Sequence, residues 1–150
     1  MDAAGGRGGF IEELKVRAMH SDFRWKQRFQ NYEASLRELR NALEKKEYTT
    51  LERAGLIQLF EISFELAWKT LKDMLFYEGY DVNSPKSALK QAFASGIIAE
   101  GELWIKALDG RNLFSHTYSN ELAEEAVALI KETYSPLLFA LETELKSRLT

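Results

Sequence analysis

Apolar residues recur at a helical period along most of the chain. Trp25, Phe29, Tyr32, Leu36, Leu39 and Leu43 follow one another at alternating intervals of four and three, which lines one narrow face of a helix. This seam predicts a first helix over about residues 22–46. The next pattern predicts a second helix over about residues 51–78, roughly 40 Å long. Its wide buried face comprises Leu56, Ile57, Phe60, Phe64, Ala67, Trp68, Leu71, Met74 and Leu75. Leu59, Ile62 and Leu66 form a smaller strip outside that face, as expected of a helix central in a bundle or shared with a subunit interface.

Ser84-Pro85 reads as an N-cap followed by proline in the first helical turn, opening a short helix to about Ser95 with Leu89, Ala92 and Phe93 inward. Gly96 closes it. A further short helix over residues 100–108 carries Leu103, Trp104 and Leu108 inward. Ser119 or Asn120 then caps a last long helix with Ala123, Val127, Ile130, Tyr134, Leu138, Leu141 and Leu145 on its apolar face. Pro136 falls inside that pattern and must kink or restart the helix, because it removes a backbone donor and clashes with the preceding turn. No segment alternates as a strand would and no repeat is visible. The expected fold is an all-α, up-and-down bundle of four to five helices.

Four of the nine glycines lie in residues 1–9, a segment with almost nothing to bury, so residues 1–20 read as a flexible tail before a single domain over 21–150. Met1 and Met19 are both candidate translation starts. The tail is no phosphate loop, since no strand precedes it and no Gly-Lys-Ser/Thr follows. The other glycines, Gly55 excepted, fall at plausible helix ends.

Composition narrows the chemistry. The chain has 150 residues, enough for one domain with a substantial core. Without cysteine it has no disulfide, thiolate metal site or Cys nucleophile. With only His20 and His116, no site built on several imidazoles can form within one chain. No metal site or cofactor is indicated, and no apolar run is long enough to span a membrane. There is no secretory leader pattern, so a cytoplasmic location is expected. The net charge of −3 argues against a general nucleic-acid coat but leaves room for a local basic groove.

The densest polar chemistry lies at Arg111-Asn112-Leu113-Phe114-Ser115-His116-Thr117-Tyr118. An arginine fork can hold a phosphate at two points, and a histidine can take and give protons near neutrality, a pairing suited to phosphodiester chemistry. Arg111 and Ser115 share a helical face, as do Asn112 and His116. Arg111 and His116 stand about 140° apart on an ideal helix, and converge only if the helix ends or bends between them. Spacing alone leaves a surface arginine and a helix-end histidine as the plainer reading.

Residues 55–73, then Glu78-Gly79-Tyr80, Ser84-Pro85, Arg111-Asn112 and His116-Thr117-Tyr118, resemble in order the nucleotidyltransferase substrate-binding protein family of the HEPN superfamily. The resemblance extends over about residues 23–145. It implies a helical bundle, usually a homodimer, partnered by a minimal nucleotidyltransferase encoded nearby, with nucleotide or RNA as ligand. It also implies two kinds of relative: substrate-binding subunits, and HepT-like toxins of toxin–antitoxin pairs that are metal-independent ribonucleases. Under the ribonuclease reading Arg111 stabilises transition-state charge, His116 is general base or acid at the ribose 2′-OH, and Asn112 orients one of them. Tyr118 becomes a candidate for nucleotidylation by the partner, and Ser115 a candidate binding residue. A purely structural helical adaptor is the third reading. A single catalytic histidine per chain implies that a catalytic site would be shared between two subunits.

Two other groupings have plainer explanations. Glu61 and Glu65 could hold Arg111 or a metal, but read more simply as a solvated face on which Lys69 pairs with Glu65 and Asp73. Arg24, Lys26 and Arg28 around Trp25 could form a nucleic-acid patch, yet read more simply as surface charge beside a core residue. Trp68 and Trp104 read as core, and His20 has no assigned role.

Overall fold

The computed structural model describes residues 3–116 and 119–149, with side chains from residue 8 onward except residue 18. The described residues form helices and connecting turns, with no strand among them. The helices are α1 (Ala3–Leu43), α2 (Thr50–Tyr77), α3 (Pro85–Ala94), α4 (Gly101–Phe114), α5 (Asn120–Leu129) and α6 (Ser135–Ser147). A wide π turn, Ile130–Tyr134, joins α5 to α6. The architecture is an all-α bundle in which α1 and α2 form the most extensive pair and α2 also packs on α3, α4, α5 and α6.

The seam of the first helix is buried from Trp25 through Leu39, and every residue of the wide α2 face is buried with it. Leu59 and Leu66 are half-buried and Ile62 is exposed, as the second strip requires. Polar contacts tie the ends of the bundle together. The buried Tyr32 hydroxyl donates to the Leu138 carbonyl at 2.6 Å, joining α1 to α6, and Arg40 bonds Glu142 alongside it. Helix α2 starts with a capping box between Thr49 and Glu52. A hydrogen bond from Lys45, with backbone help from Thr49, holds the Glu52 carboxyl down to about 2.

Several boundaries differ from expectation. Helix α1 continues upstream through the segment expected as a tail, where residues 8–17 are exposed. That stretch contains good helix formers, including Glu12, Glu13, Leu14 and Lys15, and prolongs a helix already nucleated on the core. Helix α4 runs to Phe114 rather than ending at Leu108. Gly110 therefore lies inside a helix, not at its end. A Cβ there would meet Tyr134 Cε2 at 3.0 Å and Phe114 Cζ at 3.2 Å, so glycine lets an aromatic ring lie against the backbone. Phe93 is 53% exposed rather than inward. With Ala88, Leu89 and Ala92 buried, the α3 stripe centres near Ala92, about 100° from Phe93. The ring instead covers Gly101.

Ser84 caps α3 and Pro85 occupies its first turn. Gly96 follows the helix at φ 76°, the left-handed conformation that returns the chain to bury Ile97 and Ile98. Pro136 restarts the last helix. The preceding turn widens so that the Ser135 amide bonds the Ile130 carbonyl, five residues back. Tyr134, in this turn, stacks on Phe60 with ring centroids 5.7 Å apart.

Candidate functional site

Arg111 occupies the last turn of α4, where the helix presses its buried Gly110 against Tyr134 and turns the next residue toward α2. Its guanidinium meets Glu65. Nη2 donates to Glu65 Oε2 and Nη1 donates to Asn112 Oδ1 at 3.2 Å. Most of the five guanidinium N–H donors remain unengaged by described residues. The side chain is 28% exposed, open enough to reach a ligand and packed enough to hold a direction.

Glu65 is the centre of this cluster. Its carboxylate accepts from Trp68 Nε1 at 2.9 Å and pairs with Lys69 Nζ at 3.1 Å, in addition to Arg111. Partial burial would raise its pKa, but the bonds from Trp68 and Lys69 and the charges of Arg111 and Lys69 outweigh that effect and hold it below the ordinary value. Glu61, one turn earlier, shifts the other way. Burial raises its carboxyl, against a smaller opposing pull from Arg111. Together with Ser115, Ser119 and Asn120, Glu61 lines a cleft of about 340 Å³ beside the end of α4.

The helix ends between Arg111 and His116. Ser115 is its C-cap and donates its hydroxyl to the Asn112 carbonyl at 2.9 Å; the His116 amide bonds the Leu113 carbonyl at 3.0 Å. His116 is exposed. Ser115 keeps right-handed helical backbone angles and the His116 amide bonds three residues back, so the chain makes one more tight turn past α4. Among the described residues no hydrogen bond or ion pair joins the His116 side chain to Arg111. Arg111, Asn112 and Ser115 are linked by hydrogen bonds, whereas His116 joins them through the backbone alone. Tyr118 and Thr117 lie outside the described residues.

The simpler reading of the two glutamates is corrected in part. Lys69 does pair with Glu65, but the carboxylate also holds Arg111, and Asp73 is taken by Arg28, whose Nε lies 2.8 Å from Oδ2. Trp68 was rightly assigned to the core, being 8% exposed, yet its indole N–H also orients Glu65. The local signal was present in the one-turn spacing of Glu65 with Trp68 and Lys69; the contact with Arg111 spans 46 residues and had none.

Residues 27–147 match the family model for nucleotidyltransferase substrate binding protein-like chains. The chain belongs to this family. A probable ribonuclease HepT from Haemophilus influenzae is 33% identical over 94 residues, covering 59% of this chain and 64% of that relative. The match therefore spans less than two thirds of the relative's length. The crystal structure of a Thermus thermophilus protein superimposes with a TM-score of 0.72 at 30% identity, covering 77% of this chain and 98% of that one. These likenesses bear out the HEPN-like resemblance and its helical fold. Within the nucleotidyltransferase substrate binding protein-like family, the matched region contains α2, α4 and the whole Glu65–Arg111 cluster, and leaves out residues 3–26 of α1. Among the described residues no helix is long and apolar enough to cross a membrane.

Proposed function

We propose that this protein is the nucleotide- or RNA-handling partner subunit of a minimal nucleotidyltransferase, with Arg111 as the phosphate contact and His116 beside it. The observation that carries the reading is the buttressed Arg111: a partly exposed guanidinium aimed by Glu65 and Asn112, with donors to spare, at a helix end that also presents Ser115 and His116. Lys69 shares the Glu65 carboxylate with Arg111, so that carboxylate is divided between two cations and does not neutralise the guanidinium alone. The family's name supplies the partner. The subunit acts in the cytoplasm as a homodimer, without a metal or cofactor of its own, and Tyr118 is a candidate target of nucleotidylation.

A second reading is a metal-independent ribonuclease. It is favoured by the likeness to a probable ribonuclease HepT and by the position of Arg111 and an exposed His116 at the same helix end. Arg111 would then stabilise the charge of the transition state and His116 would move the 2′-OH proton, with Asn112 holding Arg111. The second proton-transfer group would come from a second subunit, water or Tyr118.

Incubation with RNA in chelator, alongside nucleotide- and partner-binding assays, separates these readings. No cleavage, with nucleotide binding lost in Arg111→Ala, is the expected outcome. Cleavage by the wild type that His116→Ala abolishes replaces it with the ribonuclease. Unchanged nucleotide and partner binding in the Arg111→Ala, His116→Ala double variant overturns both in favour of a structural adaptor.

A further inference from the structure

A cleft of about 500 Å³ lies between α1, α2 and the loop after α2, and no residue of α4 lines it. On a chain with net charge −3, its walls are basic. Arg17, His20, Arg24 and Arg28 enter it from α1 and Lys69 and Lys72 from α2, against only Asp73 and Asp81. Two of these cations are already paired, Arg28 with Asp73 and Lys69 with Glu65. Arg17, Arg24 and Lys72 have no side-chain hydrogen bond or ion pair among the described residues. Of the two acidic residues in the lining only Asp81 is left to balance these three, so the cleft keeps a net positive charge that attracts an anion.

The cleft also displays an aromatic ring. Phe76 is 40% exposed on its wall, although it belongs to a helix that buries most of its other large apolar side chains. Cations spaced along a groove with an exposed ring among them are what a single nucleic-acid strand requires, phosphates on the charges and a base on the ring. A free phosphate or an acidic peptide would use the cations but leave the ring without a role. The sequence pattern around Trp25 pointed at two of these arginines with the wrong aromatic, since Trp25 is 3% exposed.

We infer that this cleft binds the backbone of a single-stranded polynucleotide, with Arg17, Arg24 and Lys72 on phosphates and Phe76 against a base. Lys69 and Trp68 line the cleft and share Glu65 with Arg111, so one carboxylate separates the two sites. A strand leaving the cleft on that side is delivered to Arg111. Only this direction of travel rests on the function proposed above; binding in the cleft stands on its own residues.

The test is fluorescence anisotropy with labelled oligo-rA and oligo-dA in chelator, over a series of salt concentrations. Both oligomers are expected to bind the wild type with log K falling linearly in log salt. The Arg24→Gln, Lys72→Gln double variant removes two phosphate contacts and flattens the slope by about 1.4. Phe76→Ala weakens binding about tenfold. These side chains are at least partly exposed, and circular dichroism verifies that the variants fold. Wild-type affinity in both variants overturns the inference, as does displacement of the oligomer by poly-glutamate or tripolyphosphate at equal charge. Loss of binding in Arg111→Gln with the cleft variants unaffected also overturns it, while leaving the proposed role of Arg111 standing.

Discussion

The carboxylate of Glu65 on α2 holds the guanidinium of Arg111 on α4, and the same carboxylate takes the indole N–H of Trp68 and the ammonium of Lys69. Arg111 therefore points where α2 sends it, and Glu65 is a positioning residue.

Glu65→Gln keeps the shape but removes the charge that holds both cations. Both side chains are partly exposed, so solvent screening limits the worth of the pair to about 1 kcal/mol, read as a lower denaturant midpoint. Nucleotide binding through Arg111 should weaken more than stability does, because the guanidinium loses its direction.

Glu61 and Glu65 should respond to pH in opposite senses. The native pKa of Glu65 is depressed, so its stabilisation is present above the unfolded carboxylate value of about 4.3 and is lost as pH falls through the native value. That of Glu61 is raised, so its contribution is present below about 4.3 and is lost as pH rises through the native value. At neutral pH, Glu61→Gln is expected to match or exceed the wild type in urea, and Glu65→Gln to fall below it.

Gly55 in α2 and Gly110 in α4 should give substitutions of opposite sign. Nothing lies within 4 Å of a Cβ at Gly55, which is exposed, so Gly55→Ala should stabilise by up to about 1 kcal/mol through helix propensity. At Gly110 the new methyl meets a Tyr134 ring already wedged between Phe60 and Phe114. Gly110→Ala should destabilise by about 1–3 kcal/mol despite the same propensity gain. Parallel urea titrations check both, and a stabilised Gly110→Ala would show that Tyr134 has room to move.

Asp73→Asn links the core to the basic cleft. The Asp73 carboxylate is 9% exposed and neutralises Arg28, so its loss leaves a partly buried cation without a partner and should cost about 2 kcal/mol. In the same variant the cleft loses an anion. Oligonucleotide affinity should rise while the melting temperature falls, a divergence that general unfolding could not produce.

The helices were legible where burial depends on one residue's place in a repeating pattern. The seam from Trp25 to Leu39, the wide face of α2, the Ser84-Pro85 start and the restart at Pro136 each follow from spacing or local backbone chemistry. Legibility failed where the deciding partner is remote. Phe93 looked inward until Ala88 shifted the buried stripe, and Gly110 looked like a helix end until the ring of Tyr134 accounted for it.

By itself, the sequence determined the helical class, most of the core and the segment from Arg111 to His116 as the place to look for chemistry, because periodicity and residue type act over one or two turns. Only the tertiary structure decided that Glu65 rather than solvent faces Arg111, that Asp73 belongs to Arg28, and that Arg17, Arg24, Lys72 and Phe76 share one cleft. Those pairings join residues far apart in the chain. Charge attraction does not encode which of many possible partners it will meet, and helix packing makes the choice.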